Sequence, residues 1–483
     1  MKRERAAKPL LIGGEWIADT ERTILSINPA TGRTNHEVCA ASARHVDAAV
    51  AAARTACEVS SWREMLPHRR ARLLAVVADL IEARSDDFAR AQMLDNGKPM
   101  SECRAQAASA AASFRYYAGV CETLGAEVNP ARGAYLSMTV YEPYGVVAAI
   151  TPWNSPLTME AQKVAPAIAA GNAVILKPSE VTPTAALLLG QAAMDAGLPP
   201  GILNVLPGTG AVAGDALVRH PGVRFVSFTG GTESGRRIAS IAAEKLMAVA
   251  LELGGKSPHV VFADADLEAA ATAVADGIFE GTGQSCVAGS RLFVQRPAYA
   301  RVLALVAEKA RALLPALPDA PGAKLGPLSS FAHRERVESM VETARAEGGE
   351  IVAGGARPAD TALRDGAYYL PTVIAGLDND ATVCRQEIFG PVLCALPFED
   401  EDDLVRQAND SAYGLAAGIW SADYRRAWRV ARRLEAGTVW INTYKQLSIA
   451  APFGGFKDSG LGREKGIGGV RLYQQAKSVY WGM

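Results

Sequence analysis

Between residues 145 and 252 the chain alternates two apolar textures. Short, nearly unbroken apolar runs, GVVAAI (145–150), AVILK (173–177), GILNVL (201–206), VRFVSF (223–228) and MAVALE (247–252), are separated by helical spacing near 156–170, 184–196, 211–219 and 233–243. Continuous apolar strands divided by helices predict a parallel sheet covered on both faces. Such a doubly wound α/β unit binds ligands beyond the carboxyl ends of its strands. The alternation restarts at SPHVVF (257–262), continues through the helical run LEAAATAVADGIF (267–279) and reaches about residue 440, predicting a second α/β unit. Upstream, in 68–92, Leu73, Val76, Val77, Leu80 and Ile81 recur at three- and four-residue intervals and predict one buried helix face. PALPDAPGAKLGP (315–327) and APFGGFKDSGLGREKGIGG (451–469) read as loops.

Composition narrows the function classes. The 483 residues, 49% hydrophobic, suffice for two large units with their own cores. Basic and acidic residues nearly cancel, 50 against 51, so charge predicts neither nucleic acid nor a membrane as partner. Seven cysteines (Cys39, Cys57, Cys103, Cys121, Cys286, Cys384, Cys394) are widely spaced and form no C-x-x-C. This argues against a disulfide framework or zinc site and for a reducing compartment, the cytoplasm. Six histidines form no H-x-x-x-H or H-E-x-x-H, so no metal is expected. The basic opening MKRERAAKPLLIGGEWIADT has an apolar patch broken by Gly13, Gly14 and Glu15, too short for a signal-peptide core or membrane span.

Several strand ends carry chemistry-bearing residues. EGTGQSCVAG (280–289) surrounds Cys286 with small neighbours; it reads either as a glycine-rich turn with an incidental thiol or as an accessible nucleophile. LPGTGAVAGDAL (206–217), with Gly208, Gly210 and Gly214, and FTGGTESGRRI (228–238), with Gly230 and Gly235, each join a strand to a helix. Either helix N-terminus offers free N–H groups to a phosphate, or is only a turn. ILKPSE (175–180) ends a strand with Lys177, Ser179 and Glu180, and a carboxylate there can take both ribose hydroxyls. LELGGKSP (251–258) sets Glu252 in apolar surroundings that raise a carboxyl pKa towards that of a general base. In TPWNSP (151–156), Asn154 is either a helix cap or an oxyanion donor. EIFGP (387–391) carries no argument of its own.

With NPATG (28–32), PWN (152–154), KPSE (177–180), FTGGTESG (228–235), LELGGK (251–256), GQSC (283–286), EIFGP (387–391) and PFGGFKDSGLGRE (452–464) in that order, the chain closely resembles the NAD(P)-dependent aldehyde dehydrogenases over nearly its full length. The resemblance implies that Cys286 is the nucleophile, Glu252 the general base, and Asn154 with the Cys286 backbone N–H the oxyanion site. Lys163 and Glu464 resemble a proton-relaying pair. Lys177 and Glu180 would hold the adenosine ribose, Gly230 to Gly235 would lie by the pyrophosphate, and Glu387 would bind the nicotinamide ribose beside Phe389. Ile150, Thr151, Pro152, Trp153, Ser179, Gly208, Gly214, Phe228, Thr229, Gly231 and Leu253 complete the implied cofactor set. NAD is expected over NADP, because Glu180 repels a 2′-phosphate. The implied fold is a Rossmann-like doubly wound cofactor domain (1–124 and 144–254), a second α/β catalytic domain (255–469) and a small β oligomerisation arm (125–143 and 470–483). The strand-like AYLSMTVYEPYG (134–145) and QQAKSVYWG (474–482) would build a homodimer or homotetramer, since an isolated strand exposes unpaired edges.

Departures from the family pattern bear on substrate. Gly231 stands where serine is usual, which removes one phosphate hydrogen bond. SPLTMEAQK (155–163) places Ser155, Thr158 and Gln162 where bulky apolar side chains often line the tunnel, and Glu280 and Gly281 precede the nucleophile loop. With Ser285 and Phe453, these residues imply a wider, more polar entrance, suited to a polar or aromatic aldehyde rather than a small aliphatic one. The reading is a hydrolytic aldehyde dehydrogenase. A coenzyme A-acylating enzyme is the alternative, and a catalytically retired NAD-binding or structural protein is the alternative from another class.

Overall fold

Five parallel strands form the centre of the first sheet, in the order Leu203–Val205, Ala173–Lys177, Val146–Ile150, Phe225–Thr229, Ala248–Glu252. The computed structural model describes residues 7–483; the first six residues of the basic opening lie outside them. Val146–Ile150 and Ala173–Lys177 are buried at every position, which is why they read as unbroken apolar runs. The chain lays down Val146–Ile150 first, builds outward one way and then returns to the other side. The strand order therefore reverses between Val146–Ile150 and Phe225–Thr229, where a doubly wound sheet opens a ligand crevice. The hairpin Leu10–Ile12 and Glu15–Ile17 closes one edge. At the other edge Gly460–Leu461 pairs antiparallel with Ala248–Glu252, bringing the glycine-rich 451–469 segment to this sheet.

The second sheet runs Glu350–Ala353, Thr372–Ala375, Val392–Phe398, Arg291–Gln295, Pro258–Val261, Ala416–Trp420, Thr438–Ile441, all parallel except the first. Each sheet has its own apolar core. A third, antiparallel sheet pairs Gln474–Gly482 with Tyr135–Pro143 residue for residue, and Tyr135–Pro143 with Glu127–Asn129. The two strand-like segments thus pair with each other within one chain, and the outer edges of the long Gln474–Gly482 and the short Glu127–Asn129 are left without a strand partner among the described residues.

Two local expectations are corrected. The helical stretch 68–92 is two helices, Pro67–Ala83 and Ser85–Asn96, broken at Arg84. The buried face of Pro67–Ala83 is Ala71, Leu74, Val77, Ala78 and Ile81, while Leu73, Val76 and Leu80 are only half-buried. This helix packs along Met100–Thr123, and in the core they share Leu74 is buried while Leu73 lies at the margin. Among the described residues no helix is long and apolar enough to cross a membrane.

Candidate active site

A cavity of about 900 Å³ opens beyond the carboxyl ends of Val146–Ile150, Phe225–Thr229 and Ala248–Glu252, at the reversal of strand order. Cys286, Glu252, Asn154 and Glu464 all reach it, from four separate segments of the chain.

The loop bearing Cys286 is not the open turn its glycines suggest. Gly281, Thr282, Gly283 and Gln284 are buried, and only Ser285 and Cys286 are half-exposed. Gly281, Thr282 and Gly283 have φ of +64°, +58° and +69°, three consecutive left-handed residues. A side chain on Gly283 would overlap the Gly390 carbonyl, and one on Gly255 would overlap the Cys286 carbonyl. The glycines therefore let backbone pack against backbone; they do not clear space for the thiol. Gln284 fixes the turn, its Oε1 accepting from Ser329 N at 2.8 Å and its Nε2 donating to Gly281 O at 3.1 Å. Asn154 Nδ2 donates to Gln284 O at 2.9 Å, which ties the amide to the thiol loop and leaves its second hydrogen for a ligand. The helix Pro156–Ala169 begins after Ser155, so Asn154 is not its cap. Burial first, then the Glu387 and Glu252 carboxyls, push the Cys286 thiol up to about 12.

Glu252 is 4% exposed, and its Oε2 has no hydrogen-bond partner. Burial, then the neighbouring Glu464, hold its carboxyl well above the usual carboxylate range, against the opposing pull of Lys163. An orphaned buried oxygen costs about 1–3 kcal/mol, so this position weakens the fold while favouring a proton acceptor. Lys163 Nζ donates to Glu464 Oε1 at 2.5 Å and to Ser227 Oγ at 2.9 Å, and Ser227 Oγ donates to the same carboxylate oxygen at 3.1 Å.

On the opposite wall, Pro152, Trp153, Thr229, Gly230, Gly231, Leu253, Glu387 and Phe389 line the cavity. The helix Thr232–Glu244 starts there without a side-chain cap, and a Cβ on Gly231 would meet nothing within 4 Å. Its first-turn N–H groups are available to a phosphate. Thr229 Oγ1 is buried without a partner. Glu387 Oε1 accepts from Gly255 N at 2.9 Å, and burial raises its carboxyl to about 7. A side chain on Gly254 would collide with Glu387, which explains the first glycine of LELGGK. Phe389, at φ +59°, packs edge-on against Trp153. These groups fit a dinucleotide: uncapped amides for its phosphates and carboxylates for its ribose hydroxyls.

Other expected cofactor residues lie outside this cavity. Lys177 and Glu180 meet at the end of the neighbouring strand, Nζ to Oε2 3.3 Å, with Glu180 half-exposed and Lys177 buried. Gly214 faces the Lys177 stem. Ser179 Oγ accepts from Val181 N at 3.3 Å and holds the turn. Ile150, Thr151 and Phe228 are buried at the strand ends. Gly208 packs on Ala41 and Ala213, and Gly235 packs on Leu253, so each of these two glycines has a packing reason.

Ser155, Thr158, Gln162, Ser285 and Phe453 line the substrate side. Glu280 does not: its side chain is 65% exposed and lies 3.8 Å from Lys445, because it opens the turn on the outer surface. Unexpected lining residues come from one face of Met100–Thr123: Glu102, Gln106, Ser109 and Ser113. Their three- and four-residue spacing is a helical stripe, visible in the chain but far from any motif. Lys465 also lines the cavity, and its only signal is adjacency to Glu464.

The profile described as the aldehyde dehydrogenase family matches residues 16–479. Phenylacetaldehyde dehydrogenase of Pseudomonas fluorescens is 43% identical, covering 98% of this chain and 96% of its own. Betaine aldehyde dehydrogenase of Cereibacter sphaeroides is 43% identical, covering 100% and 99%. The NAD+ complex of aldehyde dehydrogenase from Bacillus cereus superposes with a TM-score of 0.96 at 39% identity, covering 99% and 97%.

Proposed function

The chain belongs to the aldehyde dehydrogenase family, and from that premise we propose that it oxidises an aldehyde to its carboxylic acid by a hydrolytic route. NAD, when bound, supplies the hydride acceptor. Lys177 and Glu180 would hold its adenosine ribose, the Thr232–Glu244 N-terminus its phosphates, and Glu387 with Phe389 its nicotinamide end. Glu180 disfavours a 2′-phosphate, so NAD is preferred to NADP.

The Cys286 thiolate adds to the aldehyde carbon. The free hydrogen of the Asn154 amide and the Cys286 backbone N–H stabilise the oxyanion of the thiohemiacetal. Loss of hydride leaves a thioester on Cys286. Glu252 takes a proton from water, which displaces the sulfur and yields the acid. One aldehyde, one NAD+ and one water become carboxylate, NADH and two protons. Lys163 and Glu464, whose charges act on Glu252, would offer that proton a buried polar path. The observation that carries the hydrolytic reading is the orphaned, pKa-raised Glu252 carboxyl in the same cavity as Cys286. A coenzyme A-acylating route needs no such base.

The polar lining supports a polar or aromatic aldehyde. The two main sheets support a cofactor unit and a catalytic unit, with 460–461 crossing to the first. The free outer edge of Gln474–Gly482 supports assembly as a homodimer or homotetramer. Seven free thiols support a cytoplasmic setting.

Glu252→Gln tests the route. It removes the base at similar shape, so turnover falls by roughly 10²–10⁴-fold. Rapid mixing with NAD and aldehyde should release at most one NADH per site, with an acyl mass on the Cys286 peptide. Steady turnover like the wild type's, or rescue by coenzyme A, would refute hydrolysis.

A further inference from the structure

Lys465 carries a cation without a paired carboxylate among the described residues. The residue is 7% exposed and lines the catalytic cavity. Among the described residues its Nζ has no hydrogen-bond acceptor and no carboxylate within 4.0 Å; its nearest recorded partner is the face of Phe453, 5.0 Å from the ring centroid. The other charges around it are committed. Glu464 belongs to Lys163, and Glu102 is ion-paired with Lys98. Glu252 is held towards its neutral form by burial. The backbone of Lys465 is itself left-handed, φ +65°, a conformation unfavourable for a residue with a side chain. Burial lowers the Lys465 pKa, against the raising pull of Glu464, Cys286 and Glu252.

Along the same cavity, Ser109, Ser155 and Gln162 offer hydrogen-bond donors, whereas the Ser113 and Thr158 hydroxyls donate to the Ser109 and Gln106 carbonyls. Aromatic faces for a cationic substrate are missing from the arrangement: the Phe453 ring is already covered by Lys465, and Trp153 packs with His333 and Phe389. We propose that Lys465 is a specificity-determining residue that binds a carboxylate at the far end of the substrate, so that the preferred aldehydes are ω-carboxy aldehydes and the products dicarboxylates. This inference rests on the aldehyde-oxidising reading above.

The test compares kcat/KM for 4-oxobutanoate, 5-oxopentanoate and 4-formylbenzoate with their methyl esters, and with 4-aminobutanal as the oppositely charged probe. At least one carboxylate should exceed its ester by about tenfold or more, and 4-aminobutanal should be the poorest. Lys465→Met and Lys465→Gln should lower kcat/KM for that carboxylate about 10- to 100-fold more than for its ester, mainly through KM. Lys465→Arg should restore most of the preference. Glutarate should inhibit ester oxidation by the wild type and lose that inhibition in Lys465→Met. Equal losses on acid and ester, or a wild-type preference for the esters or the amine, would overturn the inference while leaving aldehyde oxidation intact. No NADH from any probe would overturn both.

Discussion

Cys286 is held towards its protonated form by its surroundings. Burial and two facing carboxyls raise the thiol to about 12, and Lys465 only partly offsets them. A free thiol titrates near 8.5, so the thiolate must be generated on demand by proton transfer to a base such as Glu252. The expected pH profile follows from the sign. A raised pKa means that the fraction of thiolate, and the rate of alkylation by iodoacetamide, keeps climbing about tenfold per pH unit through pH 9. Mass spectrometry of the Cys286 peptide reads this directly, and a plateau near pH 8 would contradict it. At this scale Lys177, Glu252 and Asn154 were legible because each is a polar group at or just past the end of an apolar run, whereas Cys286 stood out by its small neighbours and Glu387 only through the resemblance. Glu280 misled because adjacency to the nucleophile loop says nothing about which side of the turn a side chain leaves from. Lys465 was illegible because a lysine in a glycine-rich loop has no period and looks like any solvated charge.

The element that most constrains the chemistry is the turn Glu280–Gly283 with its three left-handed residues. Gly283→Ala would force a methyl group into the Gly390 carbonyl. We expect it to destabilise the protein by more than about 1 kcal/mol and, by shifting the thiol on the order of 1 Å, to lower kcat/KM by about 10²-fold. Gly468→Ala, with open space around its Cβ, should keep the wild-type Tm in the same thermal melt. The parallel strands were legible because burial on both faces leaves only apolar side chains. The helix Pro67–Ala83 was read about one residue out of phase: spacing fixes a period, but the partner helix decides which of two adjacent leucines turns inward. The Glu102–Ser113 stripe shows the converse, a period whose purpose appears only when the helix meets a cavity formed by residues far along the chain.

The whole molecule joins distant parts of one chain, and its remaining edge points outward. Gln474–Gly482 pairs along nine residues with Tyr135–Pro143 and leaves Tyr480 and Trp481 exposed. Truncation after Tyr473 should lower the mass measured by light scattering by at least half, and a wild-type monomer would contradict the assembly proposed. The same long-range joining has a consequence for how the enzyme is made. Glu464 follows Lys163 by 301 residues. At roughly 5–20 residues per second on the ribosome, that gap takes about 15–60 s to translate. Throughout it, the nascent chain carries a lysine destined for full burial without its carboxylate, and a sheet edge at Ala248–Glu252 without Gly460–Leu461. Cys286 too is made before the residues that will enclose it. The catalytic sulfur therefore emerges well before Glu387, Phe453 and Lys465, which share its cavity in the finished fold.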